Sequence, residues 1–202
     1  MAANQATARD QTPARQQSEV RQQSEVRIIG GGLGEGLAGE NFTQAFRNHP
    51  AGVAVVTADA GDGPVALTAT SVFSVSVEPP LLVFSLSDRS SSSGGIQGAA
   101  SVVVHLLGAH ELHLAKLCAT SGVDRFADRS SWDRLETGEP YFTRVDTWIR
   151  GTIVGRMRAG ASTVVALHAL EARLPDADSA ASPLVYHNRS WHGLGEHSRI
   201  AG

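Results

Sequence analysis

Residues 68–96 read TATSVFSVSVEPPLLVFSLSDRSSSSGGI, two apolar runs separated by a double proline and closed by a serine-glycine segment. In the first run Phe73, Val75 and Val77 alternate with Ser74 and Ser76, the two-residue period of a half-buried antiparallel strand. The second run, LLVFSLS, is more continuously apolar and reads as a further strand. Pro79 and Pro80 have no N–H to give a ladder, so the chain must leave the sheet there and re-enter it at Leu81. Residues 89–94 follow as polar or permissive positions on the lip of that sheet.

Working outward, PVALTAT lies just upstream, and GVAVVTA, residues 52–58, before it. The turn Gly61-Asp62-Gly63 between them makes a strand, hairpin and strand. Four strands therefore come in succession. Ahead of them Asn41 is a candidate N-cap, and Phe42, Ala45 and Phe46 share one face of a short packing helix that Pro50 closes. Downstream, residues 102–107 form another apolar run. AHELHLAKLCA then sets Leu112, Ala115 and Ala119, with Leu114, Leu117 and Cys118, at helical spacing.

The chain turns polar over residues 121–140, where Phe126 and Trp132 are the anchors. Strand character resumes at residues 147–156 and 162–172, with a hairpin turning at Arg158-Ala159-Gly160-Ala161, and returns at PLVYH, residues 183–187, ahead of Trp191. This sums to six to eight mostly antiparallel strands with two or three short helices. A mainly β fold follows, and a closed barrel would hide its edges.

At 202 residues and 42% hydrophobic content the chain suits one well-packed domain with some chain left over. Net charge is -3, from 17 basic and 20 acidic residues, and the bases are scattered, so neither a nucleic acid nor an anionic membrane is implied as a partner. A single cysteine excludes an internal disulfide and a cysteine-rich metal site. No apolar run is long enough to span a bilayer, and the N-terminus lacks the apolar core of a secretory signal, which reads as a cytoplasmic protein.

Residues 1–27 are dominated by Ala, Gln, Ser, Arg and Glu and offer little to bury, so disorder is expected there. RQQSEV occurs twice in tandem, at 15–20 and 21–26, too short a unit for a solenoid. The glycines of residues 30–40 lack the strand and βαβ context of a dinucleotide fingerprint and read as a flexible linker. The expected layout is a tail and linker over 1–38, one domain over 39–195 and a short tail over 196–202.

Two features bear on chemistry. The loop 90–95 is flexible enough for successive N–H groups to converge on an anion, residues 94–100 could open a helical turn facing it, and Arg89 could add a charge-assisted contact. A solvated connection is the alternative reading. His110 and His113 lie three apart, but no third ligand accompanies them, so they read as surface or half-buried histidines and no metal is expected.

The order FRNHPAGVAVVTA, LTATSVFSVSVEPPLLVFSLS, RSSSSGGI, DRF and PLVYHNRSWHGL resembles the flavin reductase family of FMN-binding split barrels. In particular it is similar to the small reductase partners of two-component flavin-dependent monooxygenases. The most specific element is T-x-x-S-x-x-S-x-S-x-x-P-P-L at Thr68, Ser71, Ser74, Ser76, Pro79, Pro80 and Leu81, and the likeness runs from about Phe42 to Leu194.

This resemblance implies a split β-barrel of Greek-key type, a homodimer, that binds FMN or FAD, reduces it with NADH or NADPH and passes it to a monooxygenase. By resemblance, Thr68, Ala69, Thr70 and Ser71 sit beside the flavin ring and ribityl chain, and Arg89, Ser91 and Ser93 form the phosphate loop. Ser87, His105 and Phe126 complete the implied cofactor contacts. His105 falls where the family commonly has asparagine, and Cys118 where it has phenylalanine, reading as a smaller core residue.

The family's Gly-Asp-His-Thr turn is Gly160-Ala161-Ser162-Thr163 here, which puts Ser162 on the nicotinamide side. Hydride transfer needs positioning rather than a protein acid or nucleophile, so no catalytic side chain is expected. The competing reading is a flavin-binding split barrel without nicotinamide-driven reduction: a carrier, an accessory protein or an enzyme using flavin directly on an organic substrate.

Overall fold

Alternating apolar residues build one strongly curved sheet in the computed structural model, which describes residues 27–29, 34–175 and 182–201. Its main strands are β3 (Ala54–Asp59), β4 (Pro64–Ala69), β5 (Phe73–Ser76), β6 (Leu81–Ser87), β7 (Ser101–Leu106), β10 (Trp148–Ala159) and β11 (Ser162–Arg173). They run β4-β3-β7-β10-β11-β6-β5 across the sheet, every neighbour antiparallel. Residues two apart share a face, so Val56, Leu67, Phe84, Leu86, Val102, Val104, Val165 and Leu167 all point into one interior.

The hydrogen-bonded path among the described residues does not close on itself, although a closed barrel was the simplest expectation. The curl instead brings β4 and β6 into contact without pairing. Two devices fill the split. Ser71, just past β4, accepts the Ser85 N–H at 2.9 Å, and the Ser85 hydroxyl lies 3.0 Å from it. The six-residue helix α2 (Ser93–Gly98) then plugs the interior with Ile96. At Gly95 a Cβ would meet Val65 Cγ2 at 2.9 Å, so the helix sits this close only because that position is glycine.

A second core covers the outer face of β3 and β4. Helix α3 (Leu112–Ala119) supplies Leu114, Ala115 and Cys118, while Phe126, Trp132 and Phe142 come from the polar stretch around β8 (Trp132–Arg134) and β9 (Pro140–Phe142). With both faces covered, β3 is buried almost throughout, which accounts for the apolar run in GVAVVTA, interrupted only by Thr57. A third small sheet joins β2 (Ala51–Gly52) to β12 (Leu184–His187) and β13 (Ser190–Gly193), the last two linked through Asn188 and Arg189 at φ 48° and 62°.

Several sequence expectations are corrected. Helix α1 spans Gly39–Arg47 with Ala38 at its N-cap, not Asn41, and its Phe42 and Phe46 are exposed rather than packed. Phe73, Val75 and Val77 are likewise exposed, because β5 is an edge strand with a bulge between Ser74 and Ser76. Residues 27–29, read as tail and linker, form β1 (Arg27–Ile29), parallel to the far end of β10. Thirteen strands are present among the described residues rather than six to eight, since strands of two to four residues carry too little periodicity to read. The expectations for residues 1–26 lie outside the described residues.

Candidate functional site

Thr70 and Ser71 enter a cleft of about 860 Å³ walled by Phe42, Phe46, Phe73 and Tyr186. Its size and mixture of aromatic walls with a few hydroxyls suit an organic ligand of cofactor dimensions. Thr68 and Ala69 face elsewhere: the Thr68 hydroxyl donates to Ala115 O at 2.7 Å, tying α3 to β4, and Ala69 is buried in the interior core.

From Ser71 a track of hydroxyls follows the outer face of β6. Ser85 touches Ser71, Ser87 lies two residues further, roughly 7 Å along a strand, and Ser162 is the direct cross-strand neighbour of Ser87. The register of β11 against β6 thus brings the 160–163 turn beside the serine loop, and Asp88 N–H donates to Ala161 O at 3.0 Å. Gly160, at φ 62°, supplies the left-handed residue this two-residue turn needs.

The loop itself is more tightly held than a solvated connection. Ser90 N–H donates to Ser87 O at 3.0 Å, and Ser93 N–H to Ser90 O at 3.1 Å. Arg89 N–H reaches Ser87 Oγ at 3.3 Å. Ser92 is buried, donating to Ala66 O at 2.7 Å and accepting from Arg125 Nη1 at 3.0 Å. Arg125 also donates to Cys118 O and Thr120 O, so the arginine of the DRF segment clamps this loop to the end of α3, a role its sequence did not announce. Ser93 is buried and accepts from Gln97 Nε2 at 2.8 Å, whereas Arg89 and Ser91 are exposed.

Two predicted contacts stand apart from this track. His105 is 0% exposed; with Nδ1 3.1 Å from Val55 O and Nε2 accepting Phe142 N–H at 3.0 Å, both ring nitrogens are spent on backbone. Burial lowers its pKa to about 4, so it is a neutral structural bridge between β3, β7 and β9 rather than a ligand contact. Phe126 stacks on Phe142 and abuts Trp132 in the second core. Cys118 is the core residue expected of it, with burial pushing its thiol up to about 12.

A hollow of about 350 Å³ beside the loop was missed altogether. It is lined by Asp88, Gln97, Arg156, Arg158 and Thr163. Arg158 and Thr163 are cross-strand partners, and Arg156, two residues earlier, shares their face. Arg156 Nη2 donates to Ala99 O at 2.7 Å, and Arg158 Nη2 lies 3.3 Å from Asp88 Oδ2. Thr163 Oγ1 and Arg156 Nε are buried with no hydrogen-bond partner. The only sequence signal was the Arg-x-Arg spacing directly before the turn.

The sequence profile described as "Flavin reductase like domain" matches residues 46–195. An "NADH:FMN oxidoreductase" of Rhodococcus qingshengii is 44% identical over 165 residues, covering 79% of this chain and 84% of the relative. Among solved structures, a flavin reductase domain protein from Arthrobacter sp. FB24 aligns with a TM-score of 0.72 at 30% identity, covering 77% of this chain and 95% of that one. BorF, described as the flavin reductase component of a bacterial two-component tryptophan halogenase, aligns with a TM-score of 0.70 at 29% identity, covering 79% of this chain and 99% of its own.

Proposed function

The chain belongs to the flavin reductase family, and on that premise we propose that it is an NAD(P)H:flavin oxidoreductase supplying reduced FMN or FAD to a separate flavin-dependent monooxygenase. The reaction moves a hydride from the dihydronicotinamide to the oxidised flavin and takes one proton from solvent, leaving NAD(P)⁺ and the dihydroflavin. The observation that carries the assignment of residues is the continuous hydroxyl track Ser71, Ser85, Ser87, Ser162, which joins the large cleft to the loop 88–93.

In this reading Thr70 and Ser71 face the ring, with the flanking segment Thr68–Ala69 fixing their backbone from behind. Ser87, Arg89, Ser91 and Ser93 serve the ribityl-phosphate end. Ser162 borders the nicotinamide side, where it offers one hydroxyl in place of the family's histidine. The protein's contribution is placement and exclusion of water, which needs no general acid at this turn. His105 and Phe126 support the site from the core.

The proposal extends to a homodimer acting in the cytoplasm. Its physical support is the edge strand β5 and the residue after it, where Phe73, Val75 and Val77 are 60%, 56% and 83% exposed, Phe73 at the cleft, with exposed Phe42 and Phe46 on α1. No described helix is long and apolar enough to cross a membrane.

Steady-state NADH and NADPH consumption tests the assignment. Oxidation should start only on adding FMN or FAD, and Ser91→Ala with Ser93→Ala should raise the flavin KM roughly tenfold with kcat retained, as expected for lost ground-state contacts. An unchanged flavin KM would remove the loop from the phosphate site. Flavin binding without nicotinamide oxidation would favour the carrier or accessory reading.

A further inference from the structure

We propose that the hollow between the β10–β11 hairpin and α2 is a phosphoryl-binding subsite, formed by Arg156, Arg158, Thr163 and Gln97 at the inner side of the serine loop. The inference rests on the reductase reading and adds to it which buried groups recognise a phosphate ester of its substrates.

Charge is the first argument. Two guanidinium groups face one carboxylate, Asp88, which meets Arg158 through a single 3.3 Å contact at the surface. Such an exposed pair holds its arginine weakly. Arg156 is the better placed of the two, because Ala99 O fixes one end of its fork while Nε is buried and unpartnered. A planar guanidinium pinned in this way is prepared to bind an oxyanion with its remaining donors.

Thr163 supplies the second argument. It is 2% exposed, and its Oγ1 has no partner. A buried hydroxyl left unpaired costs free energy, which an acceptor oxygen in the hollow removes. Gln97, held through its Nε2 by Ser93, ties the subsite to the loop, so the two walls order together. At about 350 Å³ the space is several times that of a single water and admits a phosphate with its ester stem. A lone carboxylate would leave donors over, whereas three phosphate oxygens use both guanidinium groups and the hydroxyl.

That phosphate can come from the flavin or from the nicotinamide dinucleotide, and equilibrium titrations of wild type, Arg156→Gln, Arg158→Gln and Thr163→Val distinguish the sources. If it belongs to the flavin, fluorescence titration should show the FMN Kd rising at least roughly tenfold in Arg156→Gln, with the Kd for riboflavin, which has no phosphate, unchanged. If it belongs to the dinucleotide, FMN binding should hold while the Kd for NADH rises as much and that for reduced nicotinamide riboside does not. Thr163→Val keeps the shape of the side chain and should give the same selectivity at smaller amplitude even if Arg156→Gln folds poorly.

Inorganic phosphate probes the subsite independently of either substrate: it should raise the melting temperature of wild type more than that of Arg158→Gln, with Thr163→Val in between. Equal loss for phosphorylated and phosphate-free ligands, or no loss and no phosphate-dependent stabilisation, would overturn the proposal. A wild type that reduces flavin while these variants behave like it would sink the subsite alone. A wild type that is stabilised by phosphate yet reduces no flavin would sink the reductase reading instead.

Discussion

At His105 the Val55 carbonyl and the Phe142 N–H take one ring nitrogen each, and the ring is wholly buried. The unfolded chain protonates this histidine below its ordinary 6.5, whereas the folded chain does so only near 4. Its contribution is therefore fully present above pH 6.5 and is lost as pH falls through that window, by roughly 3 kcal/mol in total. Urea unfolding at both ends of the window should show the wild type losing about that much more than His105→Asn, which cannot titrate; equal losses would contradict the assignment. Glu139 acts in a lower window. Burial would raise its pKa, but hydrogen bonds from Arg150, Ser101 and Thr137 outweigh it and hold it at about 2, so its contribution fades as pH falls from 4.5 toward 2. The sequence showed that a polar residue stood in a strand at 105, but not that two distant backbone groups would satisfy it. Burial and partner together separate a core histidine from a ligand-facing one, and neither is a local property.

Among the elements, the β10–β11 hairpin was the most legible, because twelve-residue strands carry several periods and Gly160 marks the turn. Its bulges were not legible. At the shift between Arg150 and Gly151, a Cβ on residue 151 would lie 2.5 Å from His168 O, a backbone atom that cannot swing aside. Gly151→Ala should thus destabilise the fold by about 3 kcal/mol or more, read as a lower urea midpoint; wild-type stability would mean the strands do not approach this closely. The start of α1 was misread for a related reason. Asn41 is a good capping residue by type, yet the chain turns helical two residues before it, and no side-chain cap forms at Ala38.

For the whole molecule, the mainly β, antiparallel class could be read from alternation, and the family resemblance supplied the expected ligand segments, whereas the strand order across the main sheet and the two smaller sheets could not be read. What could not be read depends on register or on a second chain. The Arg156–Arg158–Thr163 hollow exists because residues 88, 97, 156, 158 and 163, from three parts of the sequence, meet at one end of the sheet. The apolar face of β5 looked half-buried in sequence and is bare on the chain. If a second copy covers it, light scattering should give twice the mass of one chain, and Val75→Asp should give a folded species at half that mass. A wild type at the mass of one chain would contradict the dimer.

Delivery of hydride from a nicotinamide to flavin despite the altered 160–163 turn is what separates a reductase from a carrier. Its most direct test is to mix the protein without oxygen with a molar excess of FMN or FAD and of NADH or NADPH, and follow the visible absorbance of the flavin. Bleaching of more flavin than there is protein is expected with at least one pairing. Persistent colour with every pairing, in a protein that binds flavin, would contradict the reductase reading.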